Sequence, residues 1–168
     1  MATKIFKRAA DGKRVDLVKY TKQIIAEHPD CKIYVGCDSQ NVGKKTVYAT
    51  AVVFRYGNNG AHVIYFKDDV KIITSLRDKL WGEVERSIDV AYYLQTEGEI
   101  RVFRIDLDYN KSPKHRSNIV LKDATGWVEG MGYSHACKPE MLIAIRVANK
   151  LCRHPVGKRE GANALIED

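Results

Sequence analysis

Hydrophobic and polar positions change period several times along the chain, and each change marks an element. Within residues 16–28, Leu17, Val18, Ile24 and Ile25 recur at helical spacing and Pro29 with Asp30 closes the run, so a leading helix is expected in a segment spanning 1–30. Residues 32–38 then read as a strand, 41–45 as a turn around Gly43, and 46–56 as a second strand. Gly57, Asn58, Asn59 and Gly60 stand between two runs rich in β-branched and aromatic residues. That is a hairpin signal, and it returns residues 61–70 antiparallel as a third strand.

From residue 72 to 96 the period becomes helical, with Leu76, Leu80, Val84, Ala91 and Leu94 sharing one side and Gly98 placed to stop the helix. A fourth strand is expected over 100–107, a helix over 117–128 and a short fifth strand over 131–135. Pro139 stands at a helix start, the run 141–151 has the apolar spacing to continue from it, and a polar tail covers 153–168. Tight turns force antiparallel neighbours while helical crossovers favour parallel ones. The expected architecture is one α/β domain over 1–168, a five-stranded mixed sheet made of a three-strand antiparallel meander plus two parallel strands, flanked by helices.

Composition agrees with a single globular domain: 168 residues, 45% hydrophobic and 29% charged. No apolar run approaches the roughly 20 residues that cross a bilayer, and residues 1–13 are basic without the apolar stretch of a signal peptide. A cytoplasmic protein with no membrane partner is expected, its oligomeric state open. Cys31, Cys37, Cys137 and Cys152 form no Cys-x-x-Cys pair and read as reduced thiols. His135 and Cys137 are close in sequence but lack the second ligand pair of a zinc site. Lys and Arg outnumber Asp and Glu by 28 to 21, a net charge of +7 that favours a polyanionic partner such as nucleic acid, or serves solubility alone.

Four acids fall at positions where an α/β fold presents side chains to a ligand. Asp38 ends the first strand. Glu83 shares a helical strip with Ser87, Val90, Ala91 and Leu94 and so borders the sheet, whereas Glu85 aligns with Asp89 and Tyr92; Glu83 is preferred, with Glu85 the alternative. The fourth strand carries Asp106 and Asp108 on one face, and Asp108, nearer the carboxyl end, is preferred over Asp106. Glu140 opens the last helix, where the helix dipole alone would also favour an acid.

The stretches Val35-Gly36-Cys37-Asp38-Ser39-Gln40, Glu83-Val84-Glu85-Arg86-Ser87-Ile88, Asp108-Tyr109-Asn110, Gly126-Trp127-Val128-Glu129-Gly130-Met131-Gly132-Tyr133 and Lys138-Pro139-Glu140 resemble the ribonuclease H-like superfamily, most closely its YkuK-like branch. The resemblance runs over residues 32–151 and departs from the branch at Glu140, where Asp is usual, and at Cys37, where a small hydroxyl residue is usual. It implies a nuclease that hydrolyses phosphodiester bonds of RNA or DNA with two Mg²⁺ or Mn²⁺ ions. Asp38 would bridge both ions, Glu83 and Asp108 hold one and Glu140 the other. Gln40, Asn110, Lys111, Lys114, His115 and Arg116 would meet the substrate, His115 also as a proton carrier. The alternative is a non-catalytic nucleic-acid- or protein-binding module on the same fold.

Overall fold

The computed structural model describes residues 3–57, 60–138 and 140–153. Its elements run β1 (Ile5–Arg8), β2 (Arg14–Asp16), α1 (Leu17–Glu27), β3 (Lys32–Val42), β4 (Lys45–Tyr56), β5 (Gly60–Lys71), α2 (Leu76–Gly98), β6 (Arg104–Asn110), a 3-10 turn (Arg116–Val120), α3 (Leu121–Gly130), β7 (His135–Lys138) and α4 (Ile143–Arg153). One mixed sheet holds every described strand, in the order β2-β1-β5-β4-β3-β6-β7. No described helix is long and apolar enough to cross a membrane.

Strands β3, β4 and β5 form the antiparallel meander, and β6 and β7 join β3 in parallel. The sheet nevertheless has seven strands, not five. The 1–30 segment contributes more than a helix, since β1 and β2 pair antiparallel and β1 then pairs with β5. At four and three residues these strands are too short for an alternating pattern to stand out, yet Phe6 is fully packed into the core. Asp16 ends β2 and caps α1, its carboxylate accepting the Lys19 N–H at 2.9 Å.

Other boundaries shift for local reasons. Helix α2 starts at Leu76 because Ser75 caps it, and it runs through Gly98; the left-handed residue that ends it is Glu99, φ 57°. Residues 100–103 bury Ile100 and Val102 without joining the ladder, so β6 begins at Arg104. Residues 131–134, expected to open the fifth strand, instead terminate α3: Gly132 adopts φ 84° and the Tyr133 N–H returns to the Val128 carbonyl. Helix α4 begins at Ile143, so Glu140 precedes it rather than opening it. Pro139 and the tail 154–168 lie outside the described residues.

The sheet separates two apolar layers. One packs Val35, Val52, Phe54 and Ile64 against α1, α2 and α3 through Leu17, Ile24, Val84, Ala91, Leu94, Ala124 and Val128. The other packs Tyr34, Ala51, Val53 and Val63 against Ile143, Ala144, Val147 and Ala148 of α4. Successive β3 side chains alternate between these layers. Residues 34, 36 and 38 face α4, while 35, 37 and 39 face α2.

Candidate active site

Strand alternation delivers Asp38 to the α4 face at the rim of the sheet, 6% exposed. Its Oδ1 accepts the Ser39 N–H at 2.9 Å, its Oδ2 accepts Asn149 Nδ2–H at 2.6 Å, and its backbone carbonyl takes the Cys152 thiol at 3.2 Å. Burial raises the proton affinity of this carboxyl, the Asn149 hydrogen bond opposes that, and the Asp108 charge adds to it.

Asp108 reaches the same rim from the neighbouring strand. The last parallel β3–β6 pair is Gly36 with Asp106, and Asp38 and Asp108 each stand two residues beyond it. Lys138, at the end of β7 and paired with Asn110 of β6, places Nζ 2.5 Å from Asp108 Oδ1. That oxygen is buried and makes no contact with hydrogen-bond geometry.

Glu83 enters from the opposite face on α2. Gly82 lets the helix sit directly on the Tyr48 ring, since a Cβ there would stand 2.4 Å from the Tyr48 hydroxyl. The Tyr109 hydroxyl donates to the Leu80 carbonyl at 2.7 Å, fixing the preceding turn of α2 to β6. So held, Glu83 is 6% exposed; Ser39 Oγ donates to its Oε1 at 2.6 Å and its Oε2 has no partner. Burial pushes its carboxyl well above the usual carboxylate range, the charges of Asp38 and Asp108 push further, and Ser39 opposes them. Three carboxylates from β3, α2 and β6 thus share one electrostatic neighbourhood.

The alternatives to these acids have other surroundings. Glu85 is exposed. Asp106 is fully buried, with Arg104 Nε donating to Oδ1 at 2.7 Å and the Ala144 N–H to Oδ2 at 2.9 Å, so it anchors the start of α4. Glu140 is exposed and pairs with Lys111 Nζ at 3.0 Å, a hydrogen bond that holds its carboxyl below its ordinary range. It touches none of the other three acids among the contacts described. Asn110 shapes the following loop: its Oδ1 accepts the Ser112 N–H at 2.9 Å and its carbonyl accepts Asn118 Nδ2–H at 3.2 Å. Lys114, His115 and Arg116 are exposed on that loop and Gln40 is half-buried on β3.

Ser39, Lys138 and Asn149 escaped the sequence reading. Asn149 had a signal, since it lies between Ile145 and Cys152 on a face of α4 that is otherwise apolar. Lys138 stood in the Lys138-Pro139-Glu140 stretch, but its contact with Asp108 depends on the β6–β7 register and could not be read from it.

Whether these residues suit a divalent cation turns on the donor set. Carboxylate oxygens are the ligands that Mg²⁺ and Mn²⁺ prefer, and Glu83 Oε2 is buried without a hydrogen bond, whereas Asp108 Oδ1 is ion-paired with Lys138. Against this, among the described residues no three His, Cys, Asp or Glu side chains stand as a ready-made ligand group. The Asn149 amide and the Lys138 ammonium already hold Asp38 and Asp108. The donor chemistry suits a divalent cation, but the described residues do not stand as a ligand set for one. The His135 and Cys137 pair makes no metal group either: His135 Nε2 bonds Glu129 at 2.7 Å, and Cys137 is buried in the core.

A family model described as Ribonuclease H-like matches residues 16–153. No curated protein matches the chain. The matched span runs from α1 through α4 and includes the meander, the two parallel strands and every acid described above, and the chain belongs to the ribonuclease H-like family.

Proposed function

We propose that the protein is a divalent-cation-dependent nuclease that hydrolyses phosphodiester bonds of RNA or DNA. The observation that carries this reading is Glu83, an almost fully buried carboxylate with an unpartnered oxygen, standing with Asp38 and Asp108 at one rim of the sheet. Burying a carboxylate with one oxygen unpartnered costs stability, and a cation bound at this rim would offset that cost.

Hydrolysis adds water to phosphorus and breaks one ester P–O bond, leaving a phosphate monoester and an alcohol whose oxygen takes up a proton from solvent. Bound Mg²⁺ or Mn²⁺ supplies Lewis-acid polarisation and lowers the pKa of water. The chain's own residues do the rest. Asp38, Glu83 and Asp108 are the proposed ligands, Ser39 fixes the rotamer of Glu83, and Asn149 fixes that of Asp38. Lys111, Lys114, His115 and Arg116, which follow β6 directly and are exposed, are the proposed contacts to backbone phosphates, with Gln40 and Asn110 proposed beside them. The net charge of +7 suits that partner.

Calorimetric titration of metal-stripped protein with Mn²⁺ tests the reading. Wild type is expected to bind, and Asp38→Asn and Asp108→Asn to weaken binding at least about tenfold. Mn²⁺ should also start cleavage of labelled RNA or DNA oligonucleotides, and a chelator should stop it. No uptake at millimolar Mn²⁺ overturns the reading. Oligonucleotide binding without cleavage in Mn²⁺ would instead identify a non-catalytic binding module on the same fold.

A further inference from the structure

We infer that the sheet edge where β1 and β2 meet β5 binds single-stranded nucleic acid, with phosphates on Lys7 and Arg14 and a base on Phe66. This surface lies apart from the acidic rim and does not depend on the nuclease reading. The register joins Lys7 to Tyr65 and Arg8 to Ile64; β5 then runs on to Lys71 while β1 begins at Ile5, so the two strands part beside Phe66. A cleft of about 270 Å³ opens there, lined by Ile5, Lys7, Arg14, Tyr65, Phe66 and Lys67. Three of those side chains are cationic and none is acidic.

Charge and shape together name the occupant. Lys7 and Arg14 are exposed and stand directly opposite one another on β1 and β2, where like charges repel. Burial lowers the proton affinity of Lys67, Cys152 opposes that, and the Lys7 charge lowers it further. An anion in the cleft relieves this repulsion, and a chain of phosphates does so while releasing its counterions. Phe66 adds a feature that a bare anion would not use. Its ring packs on Phe6, centroids 6.0 Å apart, yet the residue is 45% exposed and borders the cleft. An aromatic ring among cations suits an unstacked base with its phosphates, whereas a duplex keeps its bases stacked and an acidic peptide brings none. Lys67 shares a cross-strand row with Asp38 through Ala49, two strand spacings or about 10 Å away. The end of α4 packs over the inner part of that row, where the Cys152 thiol meets the Asp38 carbonyl at 3.2 Å, so cleft and rim are separate surfaces. Lys7 and Arg14 also precede residue 16, where the family match begins.

The test is fluorescence anisotropy of labelled oligothymidylate and oligouridylate with the full-length chain, in chelator so that no strand is cut. The wild type should bind both. Lys7→Ala with Arg14→Ala should weaken binding at least about tenfold and flatten the slope of log affinity against log salt by about 1.4, since each phosphate contact on a single strand contributes about 0.7. Lys19→Ala with Lys22→Ala removes the same charge from exposed positions on α1 and should change neither quantity. Phe66→Leu, which keeps apolar packing on Phe6 without a ring, should weaken binding about 5- to 150-fold at an unchanged slope, and Phe66→Tyr should bind as wild type does. Unchanged affinity and slope in the Lys7 and Arg14 double variant, folded by circular dichroism, overturns the inference. An equal loss in the Lys19 and Lys22 pair, or a blunt duplex or polyglutamate that loses as much affinity to the Lys7 and Arg14 changes as the single strands do, reveals unselective charge attraction and overturns it as well. None of these results touches the nuclease reading, which stands or falls on Mn²⁺ uptake and cleavage.

Discussion

Replacing Gly36 by Ala tests whether the packing of α4 against β3 is as tight as the site requires. A Cβ at position 36 would stand 2.9 Å from Ala144 Cβ, 3.1 Å from the Ile145 nitrogen and 3.2 Å from the Ala144 carbonyl carbon. Two of those atoms are backbone and the third is the stub of an alanine, so no side chain can swing aside. Relief requires α4 to lift from the strand by several tenths of an ångström. Overpacking of this kind costs about 1–3 kcal/mol. The lower unfolded-state entropy of Ala returns about 0.4–1 kcal/mol. A net loss of about 1–2 kcal/mol is expected, a fall in Tm of about 2–8 °C for a chain this long. Urea unfolding and thermal melts of metal-stripped protein measure it. Gly126→Ala is the control: Gly126 lies on the exposed face of α3 with no atom within 4 Å of an added Cβ, so the same exchange should stabilise by about 0.5–1 kcal/mol. Because α4 carries Asn149, Gly36→Ala should also weaken Mn²⁺ binding. A Gly36→Ala protein as stable as wild type would refute the close approach of helix and strand.

Glu83→Gln should stabilise the chelator-treated protein near neutral pH by on the order of 1 kcal/mol, because it removes a buried carboxyl whose ionisation burial disfavours, while abolishing cation binding. The sign follows from the raised carboxyl of Glu83, shared in direction by Asp38 and Asp106: between the ordinary carboxylate range and the higher folded-state value the native chain holds more protons than the unfolded chain. Wild-type stability therefore falls as pH rises through that window, and the slope measured by urea unfolding should be shallower in Glu83→Gln; an equal or steeper slope would contradict the burial of this acid. Asp106→Ala should cost about 2–4 kcal/mol by stranding Arg104 and the Ala144 N–H, whereas Asp108→Ala, with Lys138 free to turn to solvent, should cost less. Equal losses in the two variants would refute the division of the two strand acids into an anchor and a site residue.

Local signals carried much of the fold. The Gly-Asn cluster at residues 57–60 and the β-branched runs beside it announced the meander, and the apolar spacing of Leu17, Val18, Ile24 and Ile25 with Pro29 behind it announced α1, because turn chemistry and helical period act within a few residues. Features stabilised from a distance were not legible. Helix α4 starts at Ile143 because the Asp106 carboxylate, 38 residues earlier, holds the Ala144 amide. Pro139 and Glu140 pointed to an earlier start because they obey only local rules. Asp38, Glu83 and Asp108 could be proposed from alternation along strands and the helical strip, which depend on each element alone. The ammonium of Lys138 and the amide of Asn149 meet those acids only once parallel register and helix packing are set.

The two short strands at the beginning have a bearing on the rest of the sheet. Strand β5 is twelve residues long, and without a neighbour its outer side would offer an open row of amide and carbonyl groups to any passing strand. Arg8 and Lys7 pair with Ile64 and Tyr65 there, and the Ala9 N–H reaches the Val63 carbonyl at 2.9 Å. The new outermost strand is only three residues long and carries Arg14, a poor template for further growth. Strand β1 and nearly all of β2 precede the segment matched by the family model, which starts at residue 16. The feature that shields this part of the β5 edge thus lies outside the matched framework, and truncation to the matched segment should leave the acidic rim in place while exposing a strand edge prone to pair with copies of itself.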